Sequence, residues 1–392
     1  MIYIIGINSF ISKHLYINIK KEINNIILLS YLEINLLKNV KNEDIIINCC
    51  GVNRGNSYSD FEQGNYLFIE KLFDIIKNSK PYFIHISSYM VNGFKNTNFS
   101  DLPDYQKWFI ESKLKGEEFL LKNYDNTKFC IIRPTNIYGY DCKPYYNNLL
   151  STLIYEKINN IRDIKNINKN CIRNWISIES VVKIIKEILN KKEYGIFNIL
   201  SNNTLNLNDL LNIIYNNNIP ENFKILNGDN SIPKDNSEIE NKYIQENLLE
   251  EIKILEKNMK TYYELKNQVK IQTCSKLIQD RGDMVEISSL SSNRLYKITL
   301  NKNSVRGNHF HYEQIEDFYI NKGKVLFLTA FNHEPNIIFM ILIKENDIIK
   351  INPYIIHTLS NDFIDNIPDI IIGSTQKFIP NEIPDTKYIN IL

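Results

Sequence analysis

The sequence reads as an α/β chain in two parts, a doubly wound parallel sheet followed by a small all-β barrel. Three observations predict this. Through residues 1–135, short apolar runs alternate with segments of helical spacing, as in a parallel sheet covered on both faces. A charged, helix-like stretch at about 238–268 then interrupts the pattern. Beyond Ile271 the segments become short, β-branched or aromatic, and punctuated by Asn, Gly and Pro, an all-β signature.

The elements follow in order. Ile2–Ile5 is an apolar strand and Phe10–Glu22 has helical character. Ile26–Leu29 and Asp44–Cys49 are short buried strands, and Glu62–Ile76 has helical apolar spacing. Tyr82–Ser87 is a strand, Phe109–Asn123 a helix and Phe129–Arg133 a further strand. In the second part, Leu295–Leu300, Phe318–Ile320, Val325–Thr329, Ile337–Ile343 and Ile348–Ile351 are the strands.

With 392 residues, two domains are expected, at 1–265 and 266–392. The chain is 43% hydrophobic and 23% charged with net charge +1, its two signs mixed throughout. That balance points away from nucleic-acid and membrane partners. Six cysteines form no C-x-x-C pair and several sit in apolar runs, which fits reduced, buried thiols. Met1–Gly6 reads as a strand rather than a signal segment, and no apolar run approaches the roughly 18 residues of a membrane span. A cytoplasmic protein is expected.

The densest chemistry is Gly307-Asn308-His309-Phe310-His311 with Glu316, Gly323 and His357. Residues i and i+2 of a strand share a face, so His309 and His311 aim both imidazoles into one cavity. Glu316 adds a carboxylate across the next turn and His357 a third ring from a distant strand. Three nitrogens and one oxygen suit a divalent metal: zinc first, with iron, nickel and manganese open. The bland alternative is two surface histidines that happen to be spaced by two. The run from His309 to Gly323 resembles the first cupin motif, H-x-H-x4-E-x6-G. The second is weaker: His357 is followed by Asn361, Pro353 is displaced by one and the usual Gly is absent. Upstream, Asp280-Arg281-Gly282 with Glu286, and Arg306-Gly307-Asn308-His309, resemble segments of deoxysugar-epimerase cupins. In those enzymes the corresponding His is a general base, so a catalytic base role for His309 stands beside the ligand role. For Asp280 and Arg281 the alternative is a solvated turn.

In the first part, Gly6-Ile7-Asn8-Ser9-Phe10-Ile11-Ser12 stands where a glycine-rich loop would bring backbone to a dinucleotide pyrophosphate. One glycine survives; Ser9 and Ser12 replace the others. Cys50-Gly51-Val52-Asn53-Arg54 follows the third strand, and Asn65 sits in the next helix. Ile86-Ser87-Ser88-Tyr89-Met90-Val91 ends the fourth. Arg133-Pro134-Thr135-Asn136-Ile137-Tyr138-Gly139 and Arg173-Asn174-Trp175-Ile176 come later. In this order the landmarks resemble the extended short-chain dehydrogenases/reductases, a Rossmann-type family. The resemblance implies cofactor contacts from Gly6, Ser9, Phe10, Ile11, Gly51, Asn53, Lys113 and Arg133. It implies catalytic roles for Ser88 and Lys113, and substrate contacts from Ser88, Asn136 and Arg173. The family's Y-x-x-x-K reads Phe109-Ile110-Glu111-Ser112-Lys113 here. A phenyl ring cannot donate the proton that the tyrosine supplies, and Tyr105 is a poor substitute by position. No acidic residue ends the second strand (Leu28-Leu29-Ser30-Tyr31), so a bound dinucleotide is expected to be NADP rather than NAD.

Taken together the chain resembles the CapF-type bifunctional capsular-polysaccharide enzymes, an extended short-chain reductase fused to a C-terminal cupin. Gly51-Val52-Asn53-Arg54, Glu111-Ser112-Lys113-Leu114, Cys142-Lys143-Pro144-Tyr145-Tyr146-Asn147, Asp280-Arg281-Gly282 and Gly307-Asn308-His309 are the more specific marks. The resemblance implies a UDP-linked 4-keto-6-deoxy-hexosamine substrate, epimerised at C3 by the cupin and reduced at C4 with NADPH, and a homodimer. An epimerase with a non-reducing Rossmann domain, and a non-catalytic scaffold, are the alternatives.

Overall fold

A computed structural model describes residues 1–95, 99–168, 170–226, 240–279, 282–285, 287, 293–375 and 385–392. Asp280, Arg281 and Glu286 lie outside the described residues. The chain divides into two compact units, Met1–Ile19 with Leu28–Lys257, and Lys20–Ile27 with Asn258–Leu392.

The parallel sheet and its helices open with β1 (Ile2–Ile5), α1 (Phe10–Lys20), β2 (Ile26–Leu29) and β3 (Ile45–Asn48), all of the first unit except Lys20 and Ile26–Ile27. The side chains of Ile4, Ile5, Ile26, Ile27, Leu28, Ile46 and Ile47 are fully buried, as a sheet covered on both faces requires. Two helices, α2 (Tyr58–Glu62) and α3 (Phe68–Ile76), are joined by a π-helical turn at Gln63–Leu67. Then come β4 (Tyr82–Ile86), α4 (Asp104–Asn123), β5 (Phe129–Pro134), β6 (Asn136–Tyr138), α5 (Leu149–Ile158), β7 (Lys165–Asn168) and β8 (Ile172–Ser177). The unit continues through α6 (Ile178–Lys191), β9 (Gly195–Ser201), β10 (Thr204–Asn206), α7 (Leu207–Tyr215), β11 (Phe223–Leu226) and β12 (Glu240–Ile244).

Seven strands form one sheet in the order β12-β9-β5-β4-β3-β1-β2. The pairs β1–β3, β3–β4, β4–β5, β5–β9 and β9–β12 are parallel. Strand order reverses at β1, the switch point where doubly wound sheets bind ligands beyond their carboxyl ends. The usual dinucleotide fold has one more strand outside the second. Here a 3-10 helix, Tyr31–Asn39, leads from β2 toward β3.

The charged stretch at 238–268 is not all helical, a correction to the sequence reading. Glu240–Ile244 is β12, on the edge of the sheet, and only Leu248–Gln268 is helix (α8). Lys242 rides over the Phe197 ring at 4.6 Å and pairs with Glu193 at 2.6 Å. Charge of this kind is at home on an edge strand, and it hides the strand from a hydrophobic-period reading.

The second unit follows with β13 (Lys270–Thr273), β14 (Lys276–Gln279), β15 (Gly282–Val285), β16 (Arg294–Thr299), β17 (Ser304–His311) and β18 (Glu316–Lys322). Next are β19 (Lys324–Phe331), β20 (Glu334–Lys344), β21 (Asp347–Ile351), β22 (Ile355–Asn361), β23 (Asp369–Ser374) and β24 (Thr386–Tyr388). They form two five-stranded sheets, β13-β21-β18-β23-β16 and β20-β19-β22-β17-β24, and the hairpin β14–β15. The pairings are antiparallel. Phe318 of one sheet meets Phe327 of the other edge to face, ring centroids 5.2 Å apart. The architecture is thus a Rossmann-like parallel sheet followed by an antiparallel cupin-like unit. Among the described residues no helix is long and apolar enough to cross a membrane. All six cysteines are free thiols, five of them buried.

Candidate metal centre and nucleotide crevice

In the second unit the sequence pattern closes into one cluster. His309 and His311 stand on β17, Glu316 begins β18, and His357 on β22 is the cross-strand partner of His309. One potential ligand atom from each of the four lies within 4.8 Å of all the others. Ring centroids of His309 and His357 are 4.5 Å apart, and those of His309 and His311 5.0 Å.

A bulge brings His309 into place. Gly307 has φ +111°, and a Cβ there would fall 2.5 Å from the His357 carbonyl oxygen, so only glycine lets β17 approach β22 this closely. Asn308 follows at φ +57°, and its side-chain oxygen accepts from the Thr358 hydroxyl at 2.9 Å.

The polar atoms are divided in a way that suits a cation. Glu316 Oε1 accepts from the Tyr296 hydroxyl and from Gln314 Nε2, each at 2.7 Å. Its Oε2 lies 3.4 Å from His311 Nε2 and 3.1 Å from His357 Nε2. His311 Nδ1 donates to the Asp385 carbonyl at 2.8 Å, which leaves Nε2 as a lone pair. Among the described residues, His309 Nδ1 is buried without a hydrogen-bond partner, and the buried His311 Nε2 and His357 Nε2 face only the Glu316 Oε2 they converge on. Ring nitrogens of this kind, grouped around a carboxylate oxygen, fit a divalent metal. Phe318 and Phe327 wall the cluster on the His357 side, with ring centroids 5.4 and 6.5 Å from that imidazole.

The electrostatics agree. Burial first, then the neighbouring His357 and His311, hold the His309 imidazolium down to about 4, against Glu316. Burial opposes ionisation of Glu316, but the His311 and His357 rings together outweigh it and keep its carboxyl well below the usual range. Burial also opposes the charged form of His311, yet Glu316 raises it overall. At neutral pH the cluster therefore offers a carboxylate and an uncharged His309.

In the first unit the residues expected around a dinucleotide are brought to the carboxyl ends of β1, β3 and β4. Gly6 has φ +110°, and a Cβ there would sit 3.3 Å from Cys49 and Cys50 atoms. Ser9 N donates back to the Gly6 carbonyl at 2.7 Å. The fully buried Ser12 turns its hydroxyl onto the Gly6 carbonyl and onto that of Ser9, at 2.9 Å to the latter. The serine thus closes the turn internally, where a glycine would leave its carbonyls to other partners.

Asn65, buried in the π-turn, clamps the next loop. It accepts from Val52 N at 2.8 Å and donates to Val52 O at 3.0 Å and Ser112 Oγ at 3.1 Å. Gly116 makes this possible, because a Cβ there would stand 2.6 Å from the Asn65 carbonyl oxygen. Gly51 and Asn53 are exposed on that loop. Lys113 is 4% exposed and donates to the Ile86 carbonyl at 3.3 Å. Burial lowers its ammonium to about 8, against Glu117. One turn earlier, Phe109 packs edge to face on Phe61 at 6.3 Å. Ser88 accepts from Met90 N at 3.3 Å, closing the turn after β4. Tyr105 is exposed, with Arg54 over its ring at 5.9 Å.

Arg133 and Asn136 are engaged within the protein. The Arg133 guanidinium forks onto Glu117, with Nε 3.0 and 3.1 Å from the two carboxylate oxygens, and Nη1 donates to Asn92 at 2.9 Å. Asn136 Nδ2 donates to the Asn174 carbonyl at 3.0 Å. Arg173 Nη1 donates to the Ile172 carbonyl at 2.9 Å in an exposed bond on β8. Phe10, just after Ser9, lies edge to face against His14, itself bound to Asp141 at 2.6 Å. The partners that sequence reasoning missed are Tyr296, Gln314 and Asp385. None lies in a motif, and only the folded strands bring them to Glu316 and His311.

A parallel sheet with this switch point, followed by an antiparallel unit holding three histidines and a glutamate, defines a dinucleotide-fold protein joined to a cupin-like domain. Residues 2–199 match the profile of the NAD dependent epimerase/dehydratase family, and the chain belongs to that family. Among solved structures it is similar to the capsular polysaccharide assembling protein CapF from Staphylococcus aureus. That likeness has 19% identity over 99% of each chain and a TM-score of 0.40. It is also similar to MoeE5 in complex with UDP-glucose and NAD, at 14% identity over 65% of this chain and 97% of that one, TM-score 0.52. A third, UDP-N-acetylglucosamine 4-epimerase from Bacillus cereus, is 18% identical over 66% and 96%, TM-score 0.49. No curated protein matches the chain.

Proposed function

We propose that the protein is a sugar-nucleotide epimerase of capsular or surface polysaccharide biosynthesis, acting at C3 of a UDP-linked 4-keto-6-deoxy-hexosamine through its cupin-like domain. The observation that carries this is the cluster of His309, His311, Glu316 and His357 within 4.8 Å, with three buried ring nitrogens gathered around one carboxylate oxygen. Family membership and the motif resemblance of the first unit supply the substrate class.

The chemistry is proton transfer beside a ketone. A C4 carbonyl acidifies the C3 hydrogen, so inversion needs a base to remove that proton and a donor to return it to the other face. Uncharged His309 is suited to accept a proton or to ligate, and Glu316 and His311 hold opposite charge tendencies beside it. A divalent ion held by the four side chains, zinc first, would order the cupin-like domain around His309, and an ion that keeps a further position open would also supply Lewis-acid stabilisation of developing negative charge on the substrate oxygen.

The first unit is the nucleotide-holding half, and its own C4 reduction with NADPH is weak or lost. Phe109 has no hydroxyl, and Ser12 spends its side chain on the loop. No acidic residue ends β2 (Leu28-Leu29-Ser30-Tyr31), which favours NADP over NAD as the dinucleotide. A homodimer in the cytoplasm is the expected state.

The test uses the full chain with a UDP-2-acetamido-2,6-dideoxy-hexos-4-ulose in deuterated water. Deuterium should enter at C3, and His309→Ala should abolish the exchange. If the intact protein exchanges nothing, the epimerase reading fails and a scaffold remains. If His309→Ala still exchanges, the cluster is not the site.

A further inference from the structure

Strand β24 and the residues beside it touch the cluster at three points. The Asp385 carbonyl accepts from His311 Nδ1 at 2.8 Å, and Thr386 Oγ1 lies 3.1 Å from the same nitrogen. Tyr388 is the register partner of His309, its ring centroid 5.5 Å from that imidazole. Farther along, Ile389 N donates to the Asn308 carbonyl at 2.8 Å and Ile391 N to Asn308 Oδ1 at 3.1 Å. These bonds hold the bulge that presents His309.

The strand is itself tied down at its start by one side chain. Asp385 Oδ1 accepts from Tyr312 N at 2.9 Å, and Oδ2 from Glu313 N at 2.9 Å and Gln314 N at 3.0 Å. Those three N–H groups form the turn between His311 and Glu316, so the carboxylate fixes both the carbonyl that His311 sees and the turn separating two members of the cluster. Tyr312 and Glu313 are exposed and Gln314 is half-buried, so water can take over the first two of these donors when the carboxylate is removed.

Resting on the metal-centre reading above, we infer that Asp385 is a positioning residue. It anchors β24 so that the backbone carbonyl of residue 385 keeps His311 in the Nδ1–H form, with Nε2 turned to the ion. Outer partners of metal-bound histidines act in this way by fixing tautomer and ring orientation.

The experiment is a cobalt(II) titration of the full chain, read by the visible d–d absorption and by chelator competition, with thermal melts of the metal-free proteins alongside. Asp385→Ala should weaken cobalt binding about 10- to 100-fold and alter the d–d bands, while its metal-free melt stays within a few degrees of the parent. Asp385→Asn, which keeps an acceptor oxygen, should recover part of the affinity. Unchanged affinity and bands in Asp385→Ala would overturn the inference and leave the metal centre intact; no cobalt binding by the parent chain would instead sink the metal reading. If Asp385→Ala does not fold, nitrogen-15 chemical shifts of the parent's histidines decide the matter without a variant. In the metal-free protein the neutral His311 ring should carry its proton on Nδ1, and a neutral ring protonated at Nε2 alone would refute the proposal.

Discussion

Arg133 is where the sequence resemblance and the packing make opposite demands, so its replacement is the most informative single change. The guanidinium is 7% exposed and the Glu117 carboxylate fully buried. Arg133→Met would strip Glu117 of its fork and leave a carboxylate without its counter-charge inside the first unit. Breaking a buried pair from one side costs about 3–5 kcal/mol, and the bond to Asn92 is lost as well. For a unit of this size that corresponds to a fall in Tm of roughly 6–20 °C. The double variant Arg133→Met, Glu117→Leu removes the stranded charge and should recover most of the loss. Differential scanning fluorimetry of the three proteins measures this directly. NADPH titration by fluorescence, at a temperature where all are folded, gives the second axis. An Arg133→Met protein that melts like the parent but no longer binds NADPH would refute the reasoning, since the arginine would then serve the ligand and not the fold.

Three further outcomes are expected. Phe109→Tyr returns a hydroxyl one turn before Lys113, and NADPH oxidation with a UDP-linked 4-keto sugar should rise by about 100-fold or more; no increase would mean that the crevice fails for another reason. Lys113 is held at about 8 against an ordinary 10.5, so between those values the unfolded chain binds more protons than the folded one. Stability from this side chain therefore rises with pH across that window, by at most about 1.4 kcal/mol per unit. Urea midpoints of parent and Lys113→Met should diverge there, and parallel profiles would count against the burial argument. Zinc at 100 times its dissociation constant should stabilise the parent by about 2.7 kcal/mol. Glu316→Gln should lose most of that gain while its metal-free melt holds, because the amide oxygen still accepts from Tyr296 and Gln314; an unchanged zinc response would exclude Glu316 as a ligand.

Much of this was legible from residue order. Short apolar runs such as Ile26–Leu29 and Phe129–Arg133, set between helical segments, read as strands buried on both faces, and they are. The His-x-His pair on one strand needs no tertiary knowledge to converge, and His357 was found by its motif. Other features left no such trace. The edge strand Glu240–Ile244 carries charge where a strand is usually apolar, so period counting passes over it. Tyr296, Gln314 and Asp385 act through single hydrogen bonds made by the pairing of distant strands, and a lone Tyr, Gln or Asp has no spacing to betray it. Arg133 stands in a segment that resembles R-P-x-N-x-Y-G, and nothing in that spacing shows that Glu117, four residues beyond Lys113 on the same helix, occupies its fork.

The divided duties of the Glu316 oxygens have a consequence for denticity. Oε1 is committed to two donors, so the carboxylate can give an ion only Oε2, and chelation through both oxygens is closed to it. Among the described residues the protein then supplies one oxygen and three imidazole nitrogens. For zinc in its tetrahedral preference that set is already complete, as in a structural site. For an ion that favours octahedral surroundings, such as manganese, two positions stay open to water or a substrate oxygen. The hydrogen bonds of Tyr296 and Gln314 thereby turn the identity of the metal into the question of whether the centre is structural or catalytic.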